Sequence, residues 1–422
     1  MGKGGKKERE SSDADLLIDG KIYDVADFID KHPGGSVIKF YAGKDIDASQ
    51  AYNQFHCRSK KANLTMKQYY KRDVTNKEMI EKYVNNQALL QDFDKLNKDL
   101  HEEGYYKPDI IHVIYRCLEI FAMHFVGLYL LFTGENVYLQ VLGVAIFGVV
   151  SGRCGWLMHE GGHYSLTGAI KVDRALQIFF YGVGCGMSGS WWRSQHNRHH
   201  SMPQKIGHDV DLETLPLVLF SKDALRKRLG VPMKMWLKLQ AAAFPIITTL
   251  LVALGWQFYL HPRHIIRKRQ VAEGLTLIAR YALWHNFITA KFGMTNSILI
   301  YLAYNWFAAN YIFLNFAVSH THLATVPKED TKVDWVIYAA KHTMNVSPGP
   351  FKFVSWWMSF LNFQIEHHLF PSMPQYRHPM ISGRVKELFK KHKLLYDERD
   401  YITAMKDTFA NLDKVGSDVY LG

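Results

Sequence analysis

The stretches HEGGH at 159–163, HNRHH at 196–200 and QIEHH at 364–368 decide the fold of this chain, because each ends an apolar segment and carries two or three histidines. On a helix, residues three and four apart share a face, so each stretch directs its imidazoles toward one point. Neutral imidazole is a good ligand for iron, copper, nickel and zinc. The seven candidate ligands are His159, His163, His196, His199, His200, His367 and His368. Seven imidazoles exceed the three or four protein ligands that one zinc usually takes, so the pattern predicts two metal ions.

A zinc-protease site is the alternative interpretation of the first stretch. HEGGH satisfies the motif H-E-x-x-H, in which Glu160 would be the general base. That motif explains only two of the seven histidines and gives no role to the other two stretches. We therefore favour one metal centre built from all three.

Apolar segments before and between the histidine stretches predict a membrane protein. Residues 112–132 and 137–158 each have the length that crosses a bilayer, about 20 residues, and predict a helical hairpin. Residues 175–192 are interrupted by glycines and end in two tryptophans, which predicts an interfacial or re-entrant segment. A second apolar group follows, at 236–260, 275–290 and 297–319.

The number of membrane crossings is restricted by the shared metal centre. An even number of crossings must separate HNRHH from QIEHH, yet three apolar blocks lie between them. One block therefore does not cross; the candidates are the block with Pro245 and Gly255 and the short block with Arg280 and His285. The basic stretch at 261–270 prefers the cytosolic side, which favours the first candidate.

Charge and cysteine usage exclude other classes of protein. Lys and Arg number 51 against 39 Asp and Glu, and many basic residues flank the apolar blocks. This distribution favours a membrane surface over nucleic acid as the partner. The four cysteines form no CxxC pair, so neither a zinc ribbon nor a disulfide framework is predicted.

The three stretches and their surroundings resemble the histidine boxes of membrane fatty acid desaturases. Further matches are RCGWLMHEGGH, GVGCGMSG, HDVDL, AVSHTHL and LNFQIEHHLFPSMPQ. Gln364, in place of the first histidine of the third box, is the mark of the front-end desaturases. The resemblance implies an all-α membrane domain with about four transmembrane helices and cytosolic boxes. It also implies two irons held by the seven histidines, with His320 as an eighth ligand and His322 as a weaker candidate.

The resemblance gives Gln364 the role of a weak ligand or a hydrogen-bond partner, and it names no catalytic residue separate from the metal ligands. Many relatives have two glycines where this chain has Ser359 and Phe360. We expect these bulkier residues to line the acyl tunnel.

The N-terminal part resembles the cytochrome b5 haem domain, an α+β fold. His32 opens the motif HPGG after the stretch IDGKIYDVADFIDK, and His56 follows 24 residues later. The resemblance makes these two histidines the axial ligands of haem b. Bis-imidazole ligation leaves no open iron position, which suits electron transfer. We expect a disordered N-terminus at 1–14, the haem domain at 15–75, an amphipathic connector at 76–104, the desaturase domain at 105–412 and a tail at 413–422.

The resemblance implies a front-end desaturase of the endoplasmic reticulum membrane, with both termini in the cytosol. The enzyme would use O2 to place a cis double bond at Δ5 or Δ6 of a polyunsaturated acyl chain, carried by CoA or phospholipid. Electrons would come from an NADH-dependent cytochrome b5 reductase through the fused haem domain. Two alternatives stay open: a sphingoid-base desaturase or lipid hydroxylase, and a haem-binding membrane protein without catalysis.

Overall fold

A computed structural model describes residues 14–75, 86–212, 214–225, 227–330 and 334–421. All but one residue of the expected disordered N-terminus lie outside these ranges, as does the first third of the expected connector. The chain folds into a small α+β unit followed by a helical unit that contains one short two-stranded sheet.

The N-terminal unit is built on a three-stranded antiparallel sheet. Strands β1 (Asp15–Ile18), β2 (Lys21–Asp24) and β3 (Tyr70–Asp73) are ordered β1-β2-β3. Leu16, Leu17 and Ile18 of β1 are all buried, as is Ile22 of β2. Leu16 and Ile18 share a core with Ala51 and Met66 of helices α1 (Ser49–His56) and α2 (Lys60–Lys67). The sheet therefore supports the loop and helix that carry the two candidate haem ligands.

Helix α3 (Gln87–Glu102) connects the two units and is amphipathic. Its buried residues Leu89, Phe93 and Leu100 recur at helical spacing. Phe93 stacks on Phe370, just beyond the third histidine stretch, with ring centroids 5.4 Å apart. The helix therefore packs on the domain that follows it.

Helices α4 (Ile110–Thr133) and α5 (Val137–Gly162) form the expected hairpin. A Cβ atom at Gly127 would lie 2.9 Å from the Phe147 backbone nitrogen, so the two helices cross at close range. On the outer face of α4, Ile111, Leu118 and Phe125 are 74%, 62% and 70% exposed. Such a face fits a lipid environment.

Helices α6 (Ile170–Phe179) and α7 (Gly189–Ser201) flank a π-helical turn at Phe180–Cys185. Gly186 adopts a left-handed conformation with φ of 73°, which reverses the chain. This is the segment expected to be interfacial or re-entrant, and it returns to the side of the histidines.

The second apolar group comprises α8 (Val231–Lys238), α9 (Gln240–Leu250), a π-helical stretch (Leu251–Leu260), α10 (His261–Lys268), α11 (Val271–Leu283), a second π-helical stretch (Trp284–Thr289) and α12 (Ala290–Ala317). Within the described residues, four continuous helical stretches are long and apolar enough to cross a membrane: Ile110–Thr133, Val137–Gly162, Gln240–Lys268 and Val271–Ala317.

The last of these stretches is itself a hairpin. Gly293 has φ of 76° and ψ of 167°, which breaks the helix. On either side, Trp284 Nε1 donates to Ser297 Oγ at 3.0 Å, and Arg280 Nη2 donates to Tyr304 Oη at 3.0 Å. Residues further before Gly293 therefore contact residues further after it. The helical segments on the two sides of Gly293 run antiparallel.

The stretch Gln240–Lys268 has its first end on the histidine side. Phe244 packs against Phe409, with ring centroids 5.9 Å apart. Phe409 belongs to the C-terminal helix, whose Asn411 Nδ2 donates to the carbonyl of Thr321 at 3.1 Å. Thr321 is the neighbour of His320, so this end lies close to the histidines.

The second end of that stretch lies on the same side. His264 Nε2 is 3.1 Å from Ser190 Oγ at the start of α7. Two residues further along α7, the Trp192 ring stacks on His196 at 4.2 Å. Both ends thus meet the histidine side, which is the non-crossing arrangement that the Pro245 and Gly255 block was expected to have.

The C-terminal part covers the histidines. It contains α13 (Trp335–His342), β4 (Asn345–Val346), α14 (Phe353–Trp357), α15 (Gln364–Leu369), α16 (His378–Lys391), β5 (Glu398–Arg399) and α17 (Tyr401–Leu421). Residues 413–421, expected to be a tail, continue α17, because Val415 and Val419 pack at helical spacing against Leu219 and Leu237.

Candidate functional site

Eight buried histidines form two groups at the centre of the helical domain. The first group contains His159, His163, His196, His200 and His367, and the second contains His199, His320 and His368. Within each group, the candidate ligand atoms lie within 4.8 Å of one another. All eight are residues that the sequence singled out, and the structure brings them together.

The second stretch, HNRHH, contributes histidines to both groups, because its histidines point in different directions around helix α7. His196 and His200 are four residues apart on α7, and their Nε2 atoms lie 3.0 Å apart. His199 lies about 100° around the helix from His200, the step that one residue makes, and faces the second group. On α15, the rings of His367 and His368 are inclined by 85° and likewise enter different groups.

Hydrogen bonds to the far nitrogens orient several of these rings. His199 Nδ1 donates to Asp209 Oδ2 at 3.0 Å and lies 3.2 Å from Asp211 Oδ2. His320 Nδ1 donates to the carbonyl of His342 at 3.2 Å. Each contact leaves the Nε2 atom directed into the second group, as is common for metal-binding histidines.

Burial and charge set the protonation of the rings. Burial lowers the pKa of His196, His200, His367 and His368 well below the usual range, with a further contribution from neighbouring histidines. Neutral imidazole is the form that binds metal. Burial also lowers the pKa of His199, but the carboxylates of Asp209 and Asp211 outweigh it and raise this pKa to about 9.

Several buried imidazole nitrogens of the two groups have no hydrogen-bond partner, and this bears on whether metal ions would fit there. His163 Nε2, His199 Nε2 and both nitrogens of His367 and His368 are buried without a hydrogen-bond partner. A buried polar atom left unpaired costs about 1–3 kcal/mol. Because several such atoms converge within each group, the residues present fit metal ions.

Gln364 lies beside the second group. Its side chain lies next to His320, and its Oε1 atom is buried without a hydrogen-bond partner. His322, the weaker candidate, lies outside both groups: its Nε2 atom is 3.2 Å from Arg399 Nη1. The structure therefore separates these two candidates by position.

An apolar cavity of about 540 Å³ passes both groups. His159, His196, His199, His320 and Gln364 line its middle. It extends into the helical bundle toward Ser151, Cys185 and Gln257, and in the other direction toward Leu217, Phe220 and Phe244. The elongated apolar wall fits a hydrocarbon chain held beside the histidines.

The two candidate haem ligands face each other across the N-terminal unit. The ring centroids of His32 and His56 are 6.1 Å apart. His56 Nδ1 donates to the carbonyl of Tyr52 at 3.0 Å, and His32 Nδ1 donates to that of Gly35 at 3.2 Å. The Nε2 atoms are thereby left to bind one iron between the rings, so the residues fit haem. Burial lowers the pKa of His56 to about 4, which keeps it neutral.

Comparisons with known proteins agree with this geometry. The profile described as fatty acid desaturase matches residues 136–400. The chain belongs to the fatty acid desaturase family. A second profile, the cytochrome b5-like haem/steroid binding domain, matches residues 5–84. The desaturase is therefore an oxidoreductase with a fused cytochrome b5-like domain.

Two relatives of the desaturase resemble it over nearly their full length. An acyl-lipid (8-3)-desaturase from Rebecca salina is 51% identical over 408 residues, which are 96% of this chain and 92% of the relative. An acyl-lipid (8-3)-desaturase from Thraustochytrium sp is 44% identical over 411 residues, with the same coverage of both chains.

The expectation that Ser359 and Phe360 line the acyl tunnel of the desaturase does not match the described cavity. Neither residue belongs to its wall. Ser359 Oγ accepts from Arg116 Nη2 at 2.7 Å, and the Phe360 ring lies 6.1 Å from His112. Both residues have positive φ, 53° and 65°, a backbone conformation that glycine adopts more readily than other residues.

The aspartates of HDVDL (208–212) belong to the site, a role that the sequence did not predict. Asp209 is fully buried and accepts from His199 and from the Gln204 backbone nitrogen, the latter at 2.7 Å. The available signal was two carboxylates placed soon after a histidine box. Gln375 was also missed: its Nε2 atom lies 2.7 Å from His159 Nδ1.

Proposed function

We propose that this desaturase is a front-end acyl-lipid enzyme that places a cis double bond at Δ5 or Δ6, between an existing double bond and the carboxyl end. The cavity that carries an apolar wall past both histidine groups is the observation that supports this most directly. Two relatives at 51% and 44% identity, both named acyl-lipid (8-3)-desaturases, support the same class of reaction.

The eight histidines are the proposed ligands of two irons, one in each group, with Gln364 as a weak ligand or hydrogen-bond partner beside His320. When bound, the irons would activate O2 and remove hydrogen from two adjacent methylenes of the acyl chain. Asp209 holds His199 in one tautomer, and the carbonyl of His342 does the same for His320. These contacts fix the direction from which both rings face the chain.

The cavity wall binds and orients the acyl chain. Trp156, Trp192 and Phe316 line it near the histidines, and Leu251 and Val252 line it further along. An apolar wall excludes water from the reacting methylenes and holds the chain by burial of its CH2 groups, about 0.8 kcal/mol each. The position of the methyl end in the bundle would then decide which methylene pair lies beside the histidines.

The haem domain is the proposed internal electron donor. His32 and His56 would ligate haem b, and an NADH-dependent cytochrome b5 reductase would reduce it. We propose the domain limits 15–75 for the haem domain and 105–412 for the desaturase domain. We also propose that the enzyme resides in the endoplasmic reticulum membrane, with its histidines facing the cytosol.

The alternative of a sphingoid-base desaturase or lipid hydroxylase is not favoured. Both relatives described above are named for acyl-lipid desaturation. Gln364 replaces the histidine that hydroxylases usually carry at the start of the third box.

The test is expression in a yeast that lacks polyunsaturated acids, with C18 and C20 acids supplied. Gas chromatography with mass spectrometry should locate a new bond at carbon 5 or 6. Absence of new unsaturation with every acid, in cells that contain the membrane-inserted chain with a normal haem spectrum, would refute the proposal.

A further inference from the structure

The haem domain is docked beside two of the three histidine stretches that form the centre. Tyr41 Oη donates to the carbonyl of Ser201 at 3.0 Å, one residue after His200. Ser372 Oγ, four residues after His368, donates to the carbonyl of Gln54 at 2.7 Å. The haem domain therefore contacts α7 and the loop after α15.

Arg58 fixes this docking from the other side of His56. Its Nη2 atom donates to the carbonyls of Tyr106 at 2.6 Å and Ser372 at 3.0 Å. A Cβ atom at Gly168 would lie 2.7 Å from Arg58 Nη1, so the side chain fits tightly against the desaturase domain. Two residues that flank Phe55 and His56, Gln54 and Arg58, are thus bound to the same loop.

Phe55 lies between the haem ligand and the iron site. It is bonded in sequence to His56, and its ring centroid is 6.4 Å from that of His200, with the rings inclined by 84°. On another side, the Phe55 ring meets Trp335 edge-on at 5.8 Å. One side chain therefore contacts a member of the five-histidine group while its backbone adjoins a candidate haem ligand.

We propose that Phe55 is the bridge through which electrons pass from the haem to the five-histidine group, entering at His200. The inference rests on the proposed function, because it requires that haem and iron both be bound. Its content is specific to this chain: the electron route is intramolecular and needs no undocking of the haem domain.

Within the described residues, no other aromatic ring of the haem domain contacts a histidine of either group. Tyr41 reaches the carbonyl of Ser201 only through its hydroxyl. Phe40 also lies at the domain interface, but its ring faces His208 at 4.6 Å and the Arg198 guanidinium at 5.6 Å. Neither partner belongs to a histidine group. Tyr52 stacks on His56 at 4.6 Å, but its hydroxyl is directed to the exposed Asn63.

The electrons cross Phe55 one at a time, and two cross in each turnover. With two protons and the two hydrogens taken from the acyl chain, they reduce one O2 to two waters. A one-electron reductant of the flavoprotein class restores the ferrous haem after each transfer.

The test compares full-length wild-type protein in lipid nanodiscs with Phe55→Leu, and uses Phe40→Leu as the matched control at the same interface. Reduced haem is mixed with O2 and acyl substrate, and its reoxidation is followed by absorbance; a His367→Ala protein gives the background oxidation. The haem spectrum and midpoint potential are measured in every variant. A small-molecule mediator with ascorbate, a reductant that coexists with dissolved O2, then supplies electrons by a route that does not pass through Phe55.

Phe55→Leu should slow substrate-dependent haem reoxidation several-fold, with the spectrum and potential unchanged, and the mediator should restore product to the wild-type level. Phe40→Leu should reoxidise at the wild-type rate. A wild-type rate in Phe55→Leu, equal slowing in Phe40→Leu, or no rescue by the mediator would overturn the route. Failure of the wild-type protein to form product even with mediator would instead contradict the proposed function.

Discussion

Single hydrogen bonds from residues other than the histidines hold the imidazole rings of the site in position. The box residues themselves could be predicted from sequence, because imidazoles at i, i+3 and i+4 after three separate apolar segments rarely occur together unless they bind metal. The roles of Asp209 and Gln375 could not be predicted. Asp209 reaches His199 only because the intervening loop folds back, and Gln375 contacts His159, which lies 216 residues earlier in the chain. The assignment of His367 and His368 to different groups likewise depends on the orientation of α15.

Asp209→Asn should weaken iron binding without unfolding the protein. Asparagine keeps an oxygen for the Gln204 backbone nitrogen but loses the charge that holds His199, so iron affinity should fall by about 10- to 100-fold. Titration of the apoprotein with ferrous iron measures this. Asp211→Asn is the matched control and should have the smaller effect, since Asp211 is 31% exposed at its side chain. Equal affinities in wild type and Asp209→Asn would contradict the role of the contact.

Gln364→Leu should reduce occupancy of the second group only. Leucine has similar volume but removes the amide beside His320, so one of two irons should bind more weakly while the haem remains. Metal analysis together with the haem absorbance of purified protein checks this. Unchanged iron content would show that Gln364 acts only through the shape of the cavity.

At the element scale, helix breaks create the architecture. The sequence predicted the block containing Arg280 and the block at 297–319 as separate segments, and Gly293 is the residue that separates them. Sequence could not show that Val415 and Val419 extend α17, because the surface they cover is formed by α8 and the segment before it.

Gly293→Ala should destabilise the protein through its backbone. A Cβ atom at Gly293 would meet nothing within 4 Å, so the loss of stability comes only from holding alanine at φ 76° and ψ 167°. That backbone conformation costs about 1–3 kcal/mol. Thermal unfolding in detergent should show a lower Tm. Gly383→Ala is the control: it also has open space, but it lies within helix α16, where alanine should stabilise by about 1 kcal/mol. Equal Tm values for the two variants would contradict this account.

At the scale of the whole molecule, the position of the histidines restricts the membrane topology. Parity required one apolar block not to cross, and both ends of Gln240–Lys268 lie on the histidine side. The hairpins α4–α5 and α11–α12 then provide four crossings. The docking of the haem domain against α7 could not be predicted from the sequence. Its contacts are hydrogen bonds to backbone carbonyls of residues that are distant in the chain.

Cysteine labelling tests this topology. In a chain whose four cysteines are replaced by serine, Gln270→Cys should react with an impermeant maleimide in sealed, cytosol-out vesicles. Glu135→Cys and Asn296→Cys, beside the two hairpin turns, should react only after the membrane is opened. Protection of Gln270→Cys in sealed vesicles would show that Gln240–Lys268 crosses the bilayer.

The most direct test of the central claim is the iron content of purified full-length protein, compared between His320→Ala and His322→Ala. These histidines are two residues apart, but only His320 belongs to a group. The two-group arrangement predicts two non-haem irons and one haem per chain in wild type and His322→Ala, and loss of non-haem iron with haem retained in His320→Ala. Equal non-haem iron in the two variants, or one iron in wild type, would contradict it.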